Sequence, residues 1–350
     1  MADPAEILNK AAGAKFVSTI DLQNFFWQIP LSTACRKYTS FRTPWGSFEW
    51  CVLAQGLKGA PLTAQRLIDK LLRGAGKYAS SMQDDIICYS MDFESHLMHL
   101  RDVLSRLKNA GLTANIQKCN FVRERIQILG HTLHNGEISP SDEKVEAIKG
   151  IIRPDTKTKL ATFLGLTGYF RNHVKSYSDI AFPLTELLKK KVPDKIGPLW
   201  TERHENAFET LREALISKPV LRAPNPNRTY ILSTDASMVA LGATLSQIDD
   251  QGQEYAIGYF SRKLLPRERN YAVIELECLS IVAAARKFEQ FIYGKKTKLF
   301  TDHRPLQFLH NMANTNSRLA RWSLFLQKFD LQPTYRCGEQ NKAADSLSRL

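Results

Sequence analysis

The residues able to do chemistry in this chain are acids, and they fall into two groups. Asp84 and Asp85 stand side by side in Ser80-Ser81-Met82-Gln83-Asp84-Asp85-Ile86-Ile87-Cys88-Tyr89-Ser90, with apolar residues directly after them. Two carboxylates at the start of a buried strand repel each other, and a divalent cation neutralises such a pair best. Asp21 closes the β-rich stretch Lys15-Phe16-Val17-Ser18-Thr19-Ile20-Asp21-Leu22 and supplies a third carboxylate. Standing alone, it reads as a helix N-cap or a turn acid. Carboxylates suit a hard ion such as Mg²⁺, and two such ions about 4 Å apart activate an attacking hydroxyl and stabilise a leaving oxygen.

The second group lies beyond residue 228. Asp235 falls in Ser233-Thr234-Asp235-Ala236-Ser237, Glu277 in Glu275-Leu276-Glu277-Cys278-Leu279, Asp302 in Phe300-Thr301-Asp302-His303, and Asp345 after Asn341-Lys342-Ala343-Ala344. Each acid alone reads as a cap or a surface charge. Together, on a strand–helix–strand pattern that ends in a helix, they could converge on two Mg²⁺ ions and hydrolyse a phosphodiester.

The elements that must position these acids follow from periodicity. A hairpin is expected over Tyr38 to Leu53 around Pro44-Trp45-Gly46, and a helix opening at Ala60-Pro61. A second helix is expected from about Phe93 to Gly111, and a hairpin over Gln127 to Ile138 around Asn135-Gly136. From Ser141 to Lys191 the pattern is helical and basic, broken by Pro154, Gly168 and Pro183 into about three short helices. Lys189 to Pro198 reads as a solvated linker. A helix follows from about Glu202 to Leu215, then a second linker at Pro219, Pro224 and Pro226. Beyond it, strands are expected at Thr229–Ser233, Ala240–Gln247, Ala256–Ser261, Thr297–Thr301 and Leu331–Tyr335, with a long helix from Tyr271 to Tyr293 and another starting at Lys342.

Lys and Arg number 48 against 35 Asp and Glu, a net charge of +13, in a chain of 350 residues. That excess suits a polyanionic partner, although a basic protein without one is the plain alternative. The six cysteines are scattered singly, which supports neither structural zinc nor a disulfide framework. No apolar run reaches the ~18 residues of a membrane span, and no secretory signal core opens the chain.

Taken in order and spacing, Ser18-Thr19-Ile20-Asp21-Leu22, Gly56-Leu57-Lys58-Gly59-Ala60-Pro61 with Gln65, Gln83-Asp84-Asp85-Ile86 and Ile128-Leu129-Gly130-His131 resemble reverse transcriptase. Within that family the likeness is to the Pol proteins of gypsy-type (Metaviridae) LTR retrotransposons, and it covers nearly the whole chain. The second acid group resembles ribonuclease H of the same type. The resemblance implies an α+β right-hand polymerase (palm, partial fingers, thumb) followed by an α/β ribonuclease H-like domain. The boundaries expected are 1–140 for palm with shortened fingers, 141–195 for thumb, 196–227 for a connecting segment and 228–350 for the ribonuclease H-like domain.

By motif, the resemblance implies that Asp21, Asp84 and Asp85 hold the polymerase metals. It makes Phe26 an aromatic steric gate that favours dNTPs, with core packing as the rival reading. Gln55, beside Gly56, matches a glutamine that contacts the incoming nucleotide in retroviral relatives, where many gypsy elements carry Phe. Gln65 and Met82 join the expected substrate-side residues, Met82 where relatives carry Tyr or Phe. Gly130 falls in the primer-grip hairpin. In the second domain, Asp235, Glu277 (rather than Glu275), Asp302 and Asp345 are the expected metal ligands. Tyr335 occupies the place of a flexible-loop His, with core packing as the rival, and His303 reads as structural.

The implied cofactor is Mg²⁺, two ions per active site, with Mn²⁺ able to substitute. Implied partners are an RNA or DNA template, a primer, dNTPs and the RNA/DNA hybrid, with no membrane; family analogy admits a homodimer. It also implies an intracellular, cytoplasmic location, in a virus-like particle. Lys149, Arg153, Lys157, Lys159 and Arg171 are the expected phosphate contacts, and hybrid recognition is expected to rest on shape and 2′-OH groups. About twenty residues precede Asp21 and the chain ends soon after Asp345, so a piece of a longer Pol polyprotein with shortened fingers is expected. The rival readings are a degenerate remnant with ribonuclease H activity only, and an inactive nucleic-acid-binding protein.

Overall fold

The computed structural model describes residues 4–301 and 317–335 of the 350. It divides into two compact units, Met1–Ile138 and Ser139–Leu350. The first carries α1 (Pro4–Ala12), β1 (Phe16–Asp21), α2 (Thr33–Arg36), β2 (Phe41–Thr43), β3 (Gly46–Phe48), α3 (Ala60–Leu71), β4 (Ala79–Met82), β5 (Asp85–Ser90), α4 (Phe93–Asn109), β6 (Asn120–Arg123), β7 (Arg125–Ile128) and β8 (His131–His134); β9 (Glu137–Pro140) crosses the boundary.

The organising element of the first unit is a four-stranded sheet in the order β4-β5-β1-β6. Its inner strand β1 is rich in aromatic and β-branched residues, which suit a strand covered on both faces. Val17, Ser18 and Ile20 are all buried there. The polar member, Ser18, is kept by two hydrogen bonds: its Oγ lies 2.7 Å from His96 Nε2 and accepts the Val122 N–H at 2.9 Å. Helices α3 and α4 complete the core. Ala64 and Ile68 from α3, and Val103 and Leu107 from α4, pack with Ile20 and Ile86. Pro61 opens α3, where its missing N–H costs no helix bond. Asp92 caps α4 by accepting the Ser95 N–H at 2.9 Å.

The second unit continues with α5 (Asp142–Lys149), α6 (Lys157–Tyr169), α7 (Tyr177–Ile180), α8 (Phe182–Leu187), α9 (Glu202–Ile216) and β10 (Leu221–Arg222). Pro183 falls where one helix gives way to the next, as expected: α7 ends at Ile180, and Pro183 lies in the first turn of α8. Lys189 to Pro198 is exposed along most of its length, as expected of a solvated linker, but it is anchored near its end. The Ile196 N–H donates to Asp155 O at 2.9 Å, the Lys157 N–H donates to Asp194 O at 2.9 Å, and Ile196 is wholly buried. Ile196 and Trp200 join Phe163, Leu184, Phe208 and Leu211 in one core that runs through α6, α8 and α9.

Then come β11 (Tyr230–Ala236), β12 (Ala240–Ile248), β13 (Glu254–Lys263), α10 (Val273–Lys287), α11 (Glu289–Ile292), β14 (Thr297–Thr301), α12 (Ser317–Leu326) and β15 (Leu331–Tyr335). The sheet runs β13-β12-β11-β14-β15, with β11 antiparallel to β12 and parallel to β14. The helix expected from Tyr271 to Tyr293 is two helices, α10 and α11. Helix α10 packs Ile281, Val282 and Ala285 against Leu232, Leu245 and Leu299 of the sheet. No described helix is long and apolar enough to cross a membrane.

Candidate active site

Register brings the first acids together. Strands β1 and β5 are antiparallel with Asp21 opposite Asp85, and the Leu22 N–H donates to Asp84 O at 3.1 Å. All three acids are half-buried. Burial first, then the charges of Asp84 and Asp21, push the Asp85 carboxyl from 3.8 up to about 6, with Lys118 offsetting part of the effect. A buried carboxylate raised further by the charges of neighbouring acids gains from a cation, and oxygen donors suit Mg²⁺. Among the described residues, no three Asp, Glu, His or Cys side chains converge closely enough to ligate an ion, so the acids are neighbours rather than a closed cage.

The turn carrying Asp84 is held from outside. Gln83 has φ 57, a left-handed conformation that costs a non-glycine residue about 1 kcal/mol. Gln65 of α3 meets it: Gln65 Oε1 accepts the Gln83 N–H at 2.9 Å, while Nε2 donates to Ser81 Oγ at 3.1 Å and Asp69 Oδ1 at 2.8 Å. Gln65 is 2% exposed, so its amide is committed to the hairpin, where the motif had put it on the substrate side. Gln65→Leu removes all three bonds and leaves the buried Ser81 hydroxyl and the half-buried Gln83 N–H without this partner. We expect a loss of about 1–3 kcal/mol in denaturant unfolding; unfolding at the wild-type midpoint would refute the brace.

Two neighbours separate by exposure. Phe25 is buried, while Phe26 is half-buried and packs against the core that holds Ile20, Leu22 and Ile86, the residues flanking Asp21 and Asp85. Leu53 and Leu57 of that core flank an exposed loop that carries Gln55 and Gly56. Gly56 has φ +89, and a Cβ there would meet nothing, so its glycine serves the backbone turn alone. Met82 is half-buried and pairs with Asp85 across the β4–β5 hairpin. Gly130 (φ 70) and Leu129 (φ 48) form the two-residue turn between β7 and β8, and Asn135 (φ 49) and Gly136 (φ 81) form a second such turn after β8.

In the second unit Asp235 is exposed near the end of β11, opposite Gly242 of β12. Glu277 is 5% exposed on α10. Glu275 is engaged elsewhere: Oε2 accepts the Ala272 N–H at 3.0 Å and Oε1 accepts Arg318 Nη1 at 2.7 Å. Asp302 follows β14 in sequence, and it lies, with His303 and Asp345, outside the described residues, as does the side chain of Tyr335. Burial pushes the Cys88 and Cys278 thiols up to about 12, which leaves both unreactive.

Each of the expected phosphate contacts also has a partner within the chain. Lys149 pairs with Glu146 at 2.6 Å, Lys159 with Asp155 at 2.9 Å and Arg153 with Glu205 at 3.7 Å; Lys157 Nζ donates to Lys189 O at 2.8 Å. Arg171 donates to Ser178 Oγ at 3.1 Å and to Ser261 O. The sequence reading missed Lys118, which a turn brings near Asp85 because the Asn115 N–H donates to Asp21 O at 2.8 Å. No local pattern signals that approach.

Residues 1–133 match the model of the reverse transcriptase (RNA-dependent DNA polymerase) family, and residues 225–329 that of the RNase H-like domain found in reverse transcriptase. The chain is 36% identical over 346 residues to the retrovirus-related Pol polyprotein from transposon 297 of Drosophila melanogaster, which is 99% of this chain and 32% of that protein. It is 33% identical over 350 residues to the Tf2-3 transposon polyprotein of Schizosaccharomyces pombe, 99% of this chain and 26% of that protein. The chain thus spans about a third of these curated relatives or less. Among solved structures, the foamy viral protease-reverse transcriptase in complex with RNA/DNA hybrid aligns with a TM-score of 0.79 at 23% identity, over 95% of this chain and 45% of that one. A second foamy viral structure, with double-stranded DNA, gives 0.80 at 23%, over 96% and 59%. These two carry the fold. The chain resembles, over nearly its whole length, the reverse transcriptase–ribonuclease H region of gypsy-type retrotransposon Pol polyproteins: residues 1–133 belong to the reverse transcriptase family and residues 225–329 to the ribonuclease H-like family found in reverse transcriptases.

Proposed function

We propose that the chain is an RNA-directed DNA polymerase that also cleaves the RNA strand of RNA/DNA hybrids, with divalent metal at each site. The observation that supports this most directly is the register that sets Asp21 opposite Asp85, beside a turn braced by Gln65. Asp21, Asp84 and Asp85 would hold Mg²⁺ in the first unit, and Asp235, Glu277, Asp302 and Asp345 in the second. When bound, the ions would activate the attacking oxygen and stabilise the leaving one. The chain's own part is to hold the carboxylates in register and keep the Asp84–Asp85 turn from relaxing. Phe26 would present its ring to the nucleotide sugar, and Gln55 with Gly56 would lie along the incoming nucleotide. Template, primer and dNTPs are the proposed substrates. The net charge of +13 suits that polyanion, and an intracellular setting goes with it.

Primer extension on an RNA template with Mg²⁺ or Mn²⁺ tests the polymerase: we expect DNA product from the wild type, and its absence under both metals would sink the claim. The gate has its own test. Phe26→Val removes the ring that would clash with a ribose 2′-OH. Discrimination of dNTP over rNTP, read as a ratio of kcat/KM values, is expected to fall about a hundred-fold. An unchanged ratio would leave Phe26 as a packing residue.

A further inference from the structure

We propose that Asp179, on α7 and outside the matched ribonuclease H-like region, is a positioning residue for Asp235. Ser237, two residues past Asp235, is the hub of the turn that joins β11 to β12. Its Oγ accepts the Ala240 N–H at 2.9 Å and the Val239 N–H at 3.3 Å, and its own N–H donates to Ala240 O at 2.8 Å. The hydroxyl has one proton to give. Asp179 Oδ1 takes it at 2.6 Å, while the competing acceptor, Ala240 O, lies at 3.1 Å. A carboxylate is the stronger acceptor, so the turn is pinned to the helix rather than closed on itself.

A second tie lies on the same row of the sheet. Asp235 is opposite Gly242, and Gly242 is opposite Ser261 of β13. Ser261 is 4% exposed, and its Oγ accepts the Ser178 N–H at 3.0 Å. Arg171 donates both to Ser178 Oγ and to Ser261 O. Residues 171–179 therefore grip the row at its β13 end and the turn just past its β11 end. The short strand end that carries Asp235 is fixed by side chains from a different part of the unit. This assigns Arg171, expected on phosphates, to the scaffold of the nuclease site.

The assignment rests on the proposed hybrid cleavage, and two readouts keep the two apart. In full-length, metal-free protein, Asp179→Ala is expected to speed amide hydrogen exchange at residues 237–240 by about ten-fold or more, with Asp179→Asn close to wild type because its carbonyl still accepts the hydroxyl. With Mg²⁺, Asp179→Ala is expected to lower kcat for hybrid cleavage about ten-fold and raise half-saturation by Mg²⁺, with KM for hybrid and primer extension unchanged. Asn restores cleavage. Ser237→Ala should match Asp179→Ala, and the double variant should add little. Wild-type exchange at 237–240 in Asp179→Ala, or equal loss in the Ala and Asn variants, overturns the assignment. Absent cleavage in the wild type would instead fall on the nuclease reading, and the exchange result would still decide the role of Asp179.

Discussion

Asp85→Asn is expected to lower primer extension by about a thousand-fold or more while making the metal-free protein more stable at neutral pH. Both effects have one cause. Asp85 is held between Asp84 and Asp21 in a half-buried turn, and its folded carboxyl titrates near 6 rather than 3.8. A carboxylic acid raised by folding stabilises the fold fully below its unfolded value and loses that contribution as pH rises through the folded one. The wild type, free of metal, is therefore weakened between about pH 4 and pH 6 and stays so above. Asparagine does not ionise and escapes the loss. The full electrostatic equivalent is ~3 kcal/mol, but the group is partly open to water, and screening reduces the expected gain to about 1–2 kcal/mol. Thermal melts in a chelator at pH 4, 6 and 8 would show the variant's advantage appear and grow with pH. Adding Mg²⁺ should close the gap from the wild-type side, because a ligand stabilises only the protein that binds it. An Asn variant that is the less stable protein at pH 8 would remove the electrostatic picture of this site.

Much of that site could be read from sequence because it is local. Adjacent acids before Ile86-Ile87-Cys88 can only open a strand, and Asp21 ends a run whose β-branched residues leave few alternatives. Thr297–Thr301 and Leu331–Tyr335 have the bounds expected, and Pro44-Trp45 does join a hairpin. What failed was tertiary. Ile196 and Trp200 are apolar anchors inside a Lys-, Pro- and Gly-rich stretch, and composition averages them away. Helix α1 escaped notice because nine residues give few turns from which to read a period. Strand β6 has no clean alternation, and Val122 within it has φ 51, a strained value for a β-branched residue that the Ser18 hydrogen bond holds in place.

The cations carry a local signal as well as a charge. Lys149 and Lys159 each have an acid three or four residues earlier, Glu146 and Asp155, so their ion pairs were visible as helix spacing. The role of Gln65 had no such signal: it meets Gln83 at a separation of 18 residues, and only the packing of α3 beside the hairpin brings them together.

Glu275 and Glu277 differ by two residues and provide the sharpest test of the second site. Glu277→Gln is expected to lower hybrid cleavage about a thousand-fold with primer extension intact, because it would remove one ligand from a metal site in a different unit from Asp85. Glu275→Ala should do something else. It removes the acceptor for the Ala272 N–H at the start of α10 and the partner of Arg318, whose guanidinium also lies 3.9 Å from the Tyr271 ring centroid. A loss of about 1–3 kcal/mol in stability follows, with cleavage per folded molecule near wild type. Measuring both variants on one hybrid, with folded fraction taken from unfolding curves, separates a ligand from a helix cap. If Glu275→Ala silences the folded protein and Glu277→Gln does not, the acid assigned to the metal on α10 is the wrong one, and the likeness of this segment to ribonuclease H must be realigned by two residues.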